Sequence, residues 1–287
     1  MKVVVAATIM LQVLAVGVQA DPAGLLTCVR RPLWLVRIIV AMFIAVPLLA
    51  AGLVKISSAP RGMKVSILLM AMAAVAPLLP RKLLKMGVGA AFADSLSAVT
   101  MVLAIPLVPM TASALGALFG RETVVSAASV AGTLASTFLV PFAAGLVLKA
   151  VLGDRATRIG EWANTISTIM LVVIVLALVA AQFGTILPML WESWPIVIAF
   201  AAGSLLIGHV VGGPDPRERT ALAIATVTRH PGLVLLIATS SFPNLHVLPP
   251  ILSLIIGSAI VSIPYVAWRK RSLASLPSAS VSAATAR

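Results

Sequence analysis

The sequence predicts an all-α polytopic membrane protein of about nine transmembrane helices, built as inverted repeats in which two helices, 62–88 and 217–240, are broken and cross. Three observations predict it. Of the 287 residues, 61% are hydrophobic and 10% charged, with a mean hydropathy of +1.13, whereas a soluble domain is about half apolar and about a quarter charged. Apolar runs of the ~20 residues needed to cross a bilayer recur along the chain. Two of those runs are interrupted by proline beside basic residues, in corresponding and oppositely oriented positions, which points to a transporter binding site.

The elements follow in order. The first run, 3–20, begins after Lys2 and ends Val18-Gln19-Ala20 before Asp21. It is either a secretory signal peptide with its cleavage site or a retained first helix. Further spans are 33–54, 62–79 with a continuation to about 88, 91–118, 122–152, 160–181, 193–212, 217–240 and 246–268. Ser57-Ser58-Ala59-Pro60, Gly212-Gly213-Pro214-Asp215-Pro216 and Ser241-Phe242-Pro243-Asn244 punctuate them. Residues 1–268 form one transmembrane domain, with a first repeat over about 1–118 and a second over about 122–268. Tyr265 and Trp268 suit an interfacial belt, and Arg269-Lys270-Arg271 opens a Ser/Ala-rich cytoplasmic tail over 269–287 that lacks a core of its own.

Charge sets the orientation. The chain has 21 basic and 8 acidic residues. In a soluble protein such a surplus would suggest nucleic acid; here it belongs in cytoplasmic loops, and no nucleic-acid partner is expected. With the N-terminus outside, the inner connections hold Arg30, Arg31, Arg81, Lys82, Lys85, Lys149, Arg155, Arg158, Arg217, Arg219, Arg269, Lys270 and Arg271. The outer ones hold only Lys2, Lys55, Arg61, Lys64 and Arg121, and the outer loops 182–192 and 241–245 hold none. This bias favours a retained first helix, an outside N-terminus and a cytoplasmic C-terminus, since cleavage after residue 20 would leave Arg30 and Arg31 outside. The expected location is the lipid bilayer of a bacterial inner membrane. The lone Cys28 allows no disulfide within the chain. His209, His230 and His246 lack metal-ligand spacing, and no nucleotide loop or nucleophile elbow is present, so neither a metal site nor an enzyme is expected.

The broken spans carry the candidate site. Each follows a Pro-Arg step, Pro60-Arg61 or Pro216-Arg217, runs apolar, and then breaks: one at Pro77 and Pro80 before Arg81 and Lys82, the other in Thr226-Val227-Thr228-Arg229-His230-Pro231-Gly232. Twelve residues at about 1.5 Å each place Arg229 about 18 Å from the inner end, beyond the middle of a ~30 Å core. Snorkelling does not span that depth, so Arg229 faces a cavity or a partner, or is a structural arginine paired with a carboxylate or helix-end carbonyls. Arg81 lies twenty residues beyond Arg61, about 30 Å along a helix; it belongs either to a cytoplasmic loop or to the far half of a broken helix. Asp94 is either an interfacial helix-start charge or a counter-ion or proton carrier for the arginines. His230 is either a buried structural histidine or a functional one. The hydroxyls of Thr226 and Thr228 border the second break but can also bond their own backbone.

Three stretches resemble the bile acid:sodium symporter family: PRGMKVSILLMAMAAVAPLLPRK, LVPFAAGLVLKAVLGDRATRIGEWANTISTIMLVVIVLALVAA and RERTALAIATVTRHPGLVLLIA. The likeness extends over about residues 3–268 and rests on segment order and local pattern. It implies two inverted repeats, a panel and a core, and two unwound helices crossing near the midplane; some members lack the first of ten helices. In sodium-coupled members the second crossover has Glu, then Gln and Asn four and five residues on. The matching positions here are Ala225, Arg229 and His230. Where the family's first crossover reads Pro-Gly-Gly and ends in Ser-Asn, this chain has Ala76-Pro77-Leu78-Leu79-Pro80-Arg81. A hard cation wants carboxylate oxygens, and here guanidinium groups replace them. The resemblance therefore implies a secondary transporter for a small organic anion without the usual sodium sites, proton-coupled or passive, with no cofactor. Two alternatives stand beside it: an efflux carrier for another small solute, although the crossover cysteine of related arsenite carriers is missing, and a membrane protein that kept the fold without transport.

Overall fold

The computed structural model describes residues 2–20, 31–120, 126–242 and 245–275. Cys28, Arg30, Arg121, Pro243-Asn244 and the tail from residue 276 lie outside the described residues. The described chain is helical throughout: α1 (Lys2–Gln19), α2 (Pro32–Ile56), α3 (Arg61–Met72), α4 (Leu79–Leu84), α5 (Ala90–Phe119), α6 (Ala127–Leu152), α7 (Asp154–Ala181), α8 (Phe183–Val211), α9 (Pro216–Val227), α10 (Pro231–Ser241) and α11 (Leu248–Ala274). Six helices are long and apolar enough to cross a membrane: Pro32–Ile56, Phe92–Phe119, Ala127–Leu152, Arg155–Ala181, Trp191–Val211 and Leu248–Ala274. The protein is thus an all-helical chain compatible with residence in a membrane.

The helices form two groups. In one, α1 lies along α6 and α7. Its contact with α6 is a glycine crossing: a Cβ on Gly145 would sit 2.4 Å from the Leu14 carbonyl oxygen, so only glycine lets the two backbones approach this closely. In the other group, α8 packs along α9, α11 and α2, and α3 packs against α2 and α11. A Cβ on Gly208 of α8 would lie 2.5 Å from the Ala223 Cα of α9. The groups meet where α5 touches α6 and where α1 touches α10.

Two helices carry π-helical turns, Val40–Ala45 in α2 and Ala135–Leu139 in α6. Each turn is followed by a proline, Pro47 or Pro141. The ring would clash with the carbonyl four residues back, and the widened turn relieves that clash while freeing carbonyls from the helix ladder. The freed Phe43 carbonyl accepts a bond from Thr111 Oγ1 at 3.4 Å.

The structure redraws three boundaries. Residues 182–192, expected as an outer loop, are helical from Phe183, with Pro188 inside the helix. Helix α11 continues past 268 to Ala274, so Arg269-Lys270-Arg271 lie within the helix. The span 62–79 ends at Met72, where Ala73 turns extended at ψ 150°.

Candidate functional site

Each break carries a proline, Pro77 or Pro231. The residue before a proline disfavours the α region, and the proline leaves the carbonyl four residues back without its helical donor; α3 ends at Met72 and α9 at Val227. Each break leaves a short extended stretch, and the two stretches pair antiparallel through Val75 and Arg229. The Ala76 amide donates to the Thr228 carbonyl at 3.1 Å, and the His230 amide donates to the Ala74 carbonyl at 2.8 Å. The register is symmetric, because Pro77 follows Val75 by two residues just as Pro231 follows Arg229. The positional counterpart of Arg229 across the crossing is Val75. Pro80 sits in the first turn of α4, and Pro231 and Gly232 open α10.

Helices α3 and α9 both end at this crossing, so two sets of unpaired C-terminal carbonyls, each carrying partial negative charge, converge on one apolar spot. Arg229 answers them. Its Nε donates to the Thr226 carbonyl at 2.9 Å, Nη1 to the Ala73 carbonyl at 2.9 Å and Nη2 to the Met42 carbonyl at 3.2 Å. The three acceptors are the end of α9, the end of α3 and the π turn of α2. Arg229 is 4% exposed. Among the described residues no carboxylate pairs with it, and its charge is met by carbonyl dipoles alone.

The neighbours divide into structural and cavity-lining groups. His230 is fully buried, and its Nδ1 accepts from the Leu233 amide at 3.3 Å, capping α10. With Nδ1 accepting, the ring proton sits on Nε2, which is buried without a partner. The ring lies 5.7 Å from that of Phe138. Thr226 Oγ1 donates to the Ser204 carbonyl at 2.7 Å and thereby locks α9 to α8. Thr228 lines a small cavity of about 130 Å³ together with Arg229, Lys82 and Ser258. Lys82 Nζ donates to Thr228 Oγ1 at 3.3 Å. Beyond it a wider groove of about 520 Å³ holds Lys82, Lys85 and Lys270 and no carboxylate.

Arg81 and Asp94 meet elsewhere. They line a crevice of about 290 Å³ between the two helix groups, with Gln19 of α1, Pro77, Pro80, Ser97 of α5, and Glu161 and Asn164 of α7. Arg81 Nη2 donates across it to Thr165 Oγ1 of α7 at 2.9 Å. Arg81 lies on α4, beyond the break that ends α3, and among the described residues it lines a different cavity from that of Arg229. The lining residues missed in the sequence are Gln19, Glu161 and Asn164. Glu161 and Asn164 are three apart and share one face of α7, a polar pair at the start of an apolar run that passes for an ordinary helix end. Among the described residues no cluster of three His, Cys, Asp or Glu side chains is placed to share a metal ion.

Compared with protein-family models and with curated proteins, the sequence matches none.

Proposed function

We propose that the protein is a secondary carrier that moves a small organic solute bearing an anionic group across a membrane by alternating access, without a sodium site at its crossing. The observation that carries this reading is the antiparallel crossing of two broken helices, held by the Arg229 guanidinium and flanked by a polar crevice between two helix groups. Broken helices meeting at one point are how many carriers build a site within the bilayer. Element order supports inverted repeats: α1, α2, the α3–α4 pair and α5 run unbroken, unbroken, broken, unbroken, and so do α7, α8, the α9–α10 pair and α11. Counting each broken pair as one span and α1 as retained gives nine.

Arg229 does the work that a bound cation does elsewhere. It neutralises two helix ends with a charge that cannot leave, so no ion gradient drives the crossing. Arg81, in the crevice, meets the anionic group of the solute, since guanidinium matches carboxylate in bidentate fashion. The group formed by α1, α6 and α7 and the group that holds the crossing rock against each other. The Arg81–Thr165 bond would break as the crevice closes or opens.

The test is uptake by proteoliposomes of short mono- and dicarboxylates, alkyl sulfonates and amino acids, with sodium or choline outside. The expected result is saturable uptake of at least one solute, equal in both salts and reduced at least tenfold by Arg81→Ala. Uptake that rises steeply with a sodium gradient would overturn the sodium-free mechanism.

A further inference from the structure

The crevice is built for more than an anion. Among the described residues its one cation is Arg81, which lines it together with Asp94 of α5 and Glu161 of α7. Among the described residues no ion pair joins either acid to Arg81, so three exposed charged side chains of both signs line one small space without contact pairing. Asn164, one turn from Glu161, is only 9% exposed, lines the cavity, and leaves its Oδ1 acceptor without a partner. A buried acceptor left unpaired is uncommon enough to demand an explanation. Three of the polar groups here, two carboxylates and an amide oxygen, want a donor or a positive charge; one, Arg81, wants an acceptor.

A plain carboxylate entering this space would gain at Arg81 and be repelled by both acids. The lysine groove on the other side of α4, with three cations and no acid, is what a receptor for a simple anion looks like. A solute carrying a carboxylate and an ammonium satisfies the whole crevice. Its carboxylate pairs with the guanidinium N–H groups not used on Thr165, and its three ammonium protons reach Asp94, Glu161 and Asn164 Oδ1. At about 290 Å³ the cavity lies at the small end of ligand sites, a size that suits an amino-acid-like molecule.

We propose that the solute bound in this crevice is a small zwitterion of the amino-acid type, with Arg81 holding its carboxylate and Asp94, Glu161 and Asn164 holding its ammonium. This rests on the crevice being the transport site.

The experiment uses the full chain in detergent and in proteoliposomes, with matched probes on single carbon skeletons: L-alanine, propionate and ethylamine; L-leucine, 4-methylpentanoate and isopentylamine; γ-aminobutyrate, butyrate and propylamine. Thermal shift measures binding, and radiolabelled uptake measures transport. At least one zwitterion is expected to bind and be taken up, with its deaminated and decarboxylated partners at least tenfold weaker. Glu161→Gln is expected to weaken the zwitterion while improving the plain carboxylate. Carboxylates that bind as well as their amino parents would overturn the zwitterion and leave the carrier standing. Carboxylate uptake driven by an inward proton gradient and lost in Asp94→Asn would overturn it too, by assigning the acids to protons. Neither class binding nor entering vesicles would contradict both the zwitterion and the carrier. The comparison of probes on the wild type requires no variant to fold.

Discussion

At the scale of single residues, Arg229 explains why a buried charge is tolerated without a counter-ion. Hydrogen bonds to a charged group contribute about 1.5–3 kcal/mol each, and Arg229 makes three to carbonyls that would otherwise be orphaned. Arg229→Gln should lower the melting temperature by about 5–10 °C, on the scale of ~2–4 °C per kcal/mol for a chain of this size. Arg229→Lys should fall between wild type and Gln, because a single ammonium keeps the charge but cannot span three separated acceptors. Unfolding followed by intrinsic tryptophan fluorescence measures both. A lysine variant as stable as wild type would show that charge alone suffices and that the fork geometry is irrelevant. The arginine itself was legible, because its distance along the span forbade snorkelling. Helix-end carbonyls were one of the partners left open for it, but which carbonyls was not legible, since any residue type supplies one. The same blindness hid the π turn at Met42, of which Pro47 is the only trace.

At the scale of elements, prolines place the breaks and glycines set the spacing between helices. Both broken helices could be found in the sequence because Pro77 and Pro231 interrupt apolar runs. Their register could not, because the pairing centres on Val75, an apolar residue that nothing in the sequence marks. Glycine spacing also escaped notice, since nothing in the sequence says which glycines face a backbone. Gly208 faces α9 at a distance no Cβ tolerates, while a Cβ at Gly52 in α2 meets nothing within 4 Å. Gly208→Leu should therefore separate α8 from α9 and cost at least the ~1–3 kcal/mol typical of overpacking. Gly52→Leu should leave the melting temperature within a degree or two. Monodispersity on size exclusion and melting temperature check both; equal tolerance at the two sites would mean that α8 and α9 do not pack as described.

At the scale of the molecule, two broken helices cross at one point. The succession of apolar helices was legible from the apolar runs. The division into two groups with a crevice between them was not, because Gln19, Asp94, Glu161 and Asn164 come from three helices distant in the chain and each alone resembles a helix end. In the proposed mechanism a fixed guanidinium takes the place of a bound cation at the crossing, and its most direct test is the melting temperature of the purified wild-type protein in sodium chloride and in choline chloride at equal ionic strength. A sodium-free crossing predicts the same temperature in both salts at every concentration. A rise specific to sodium, saturating as a bound ion does, would contradict it.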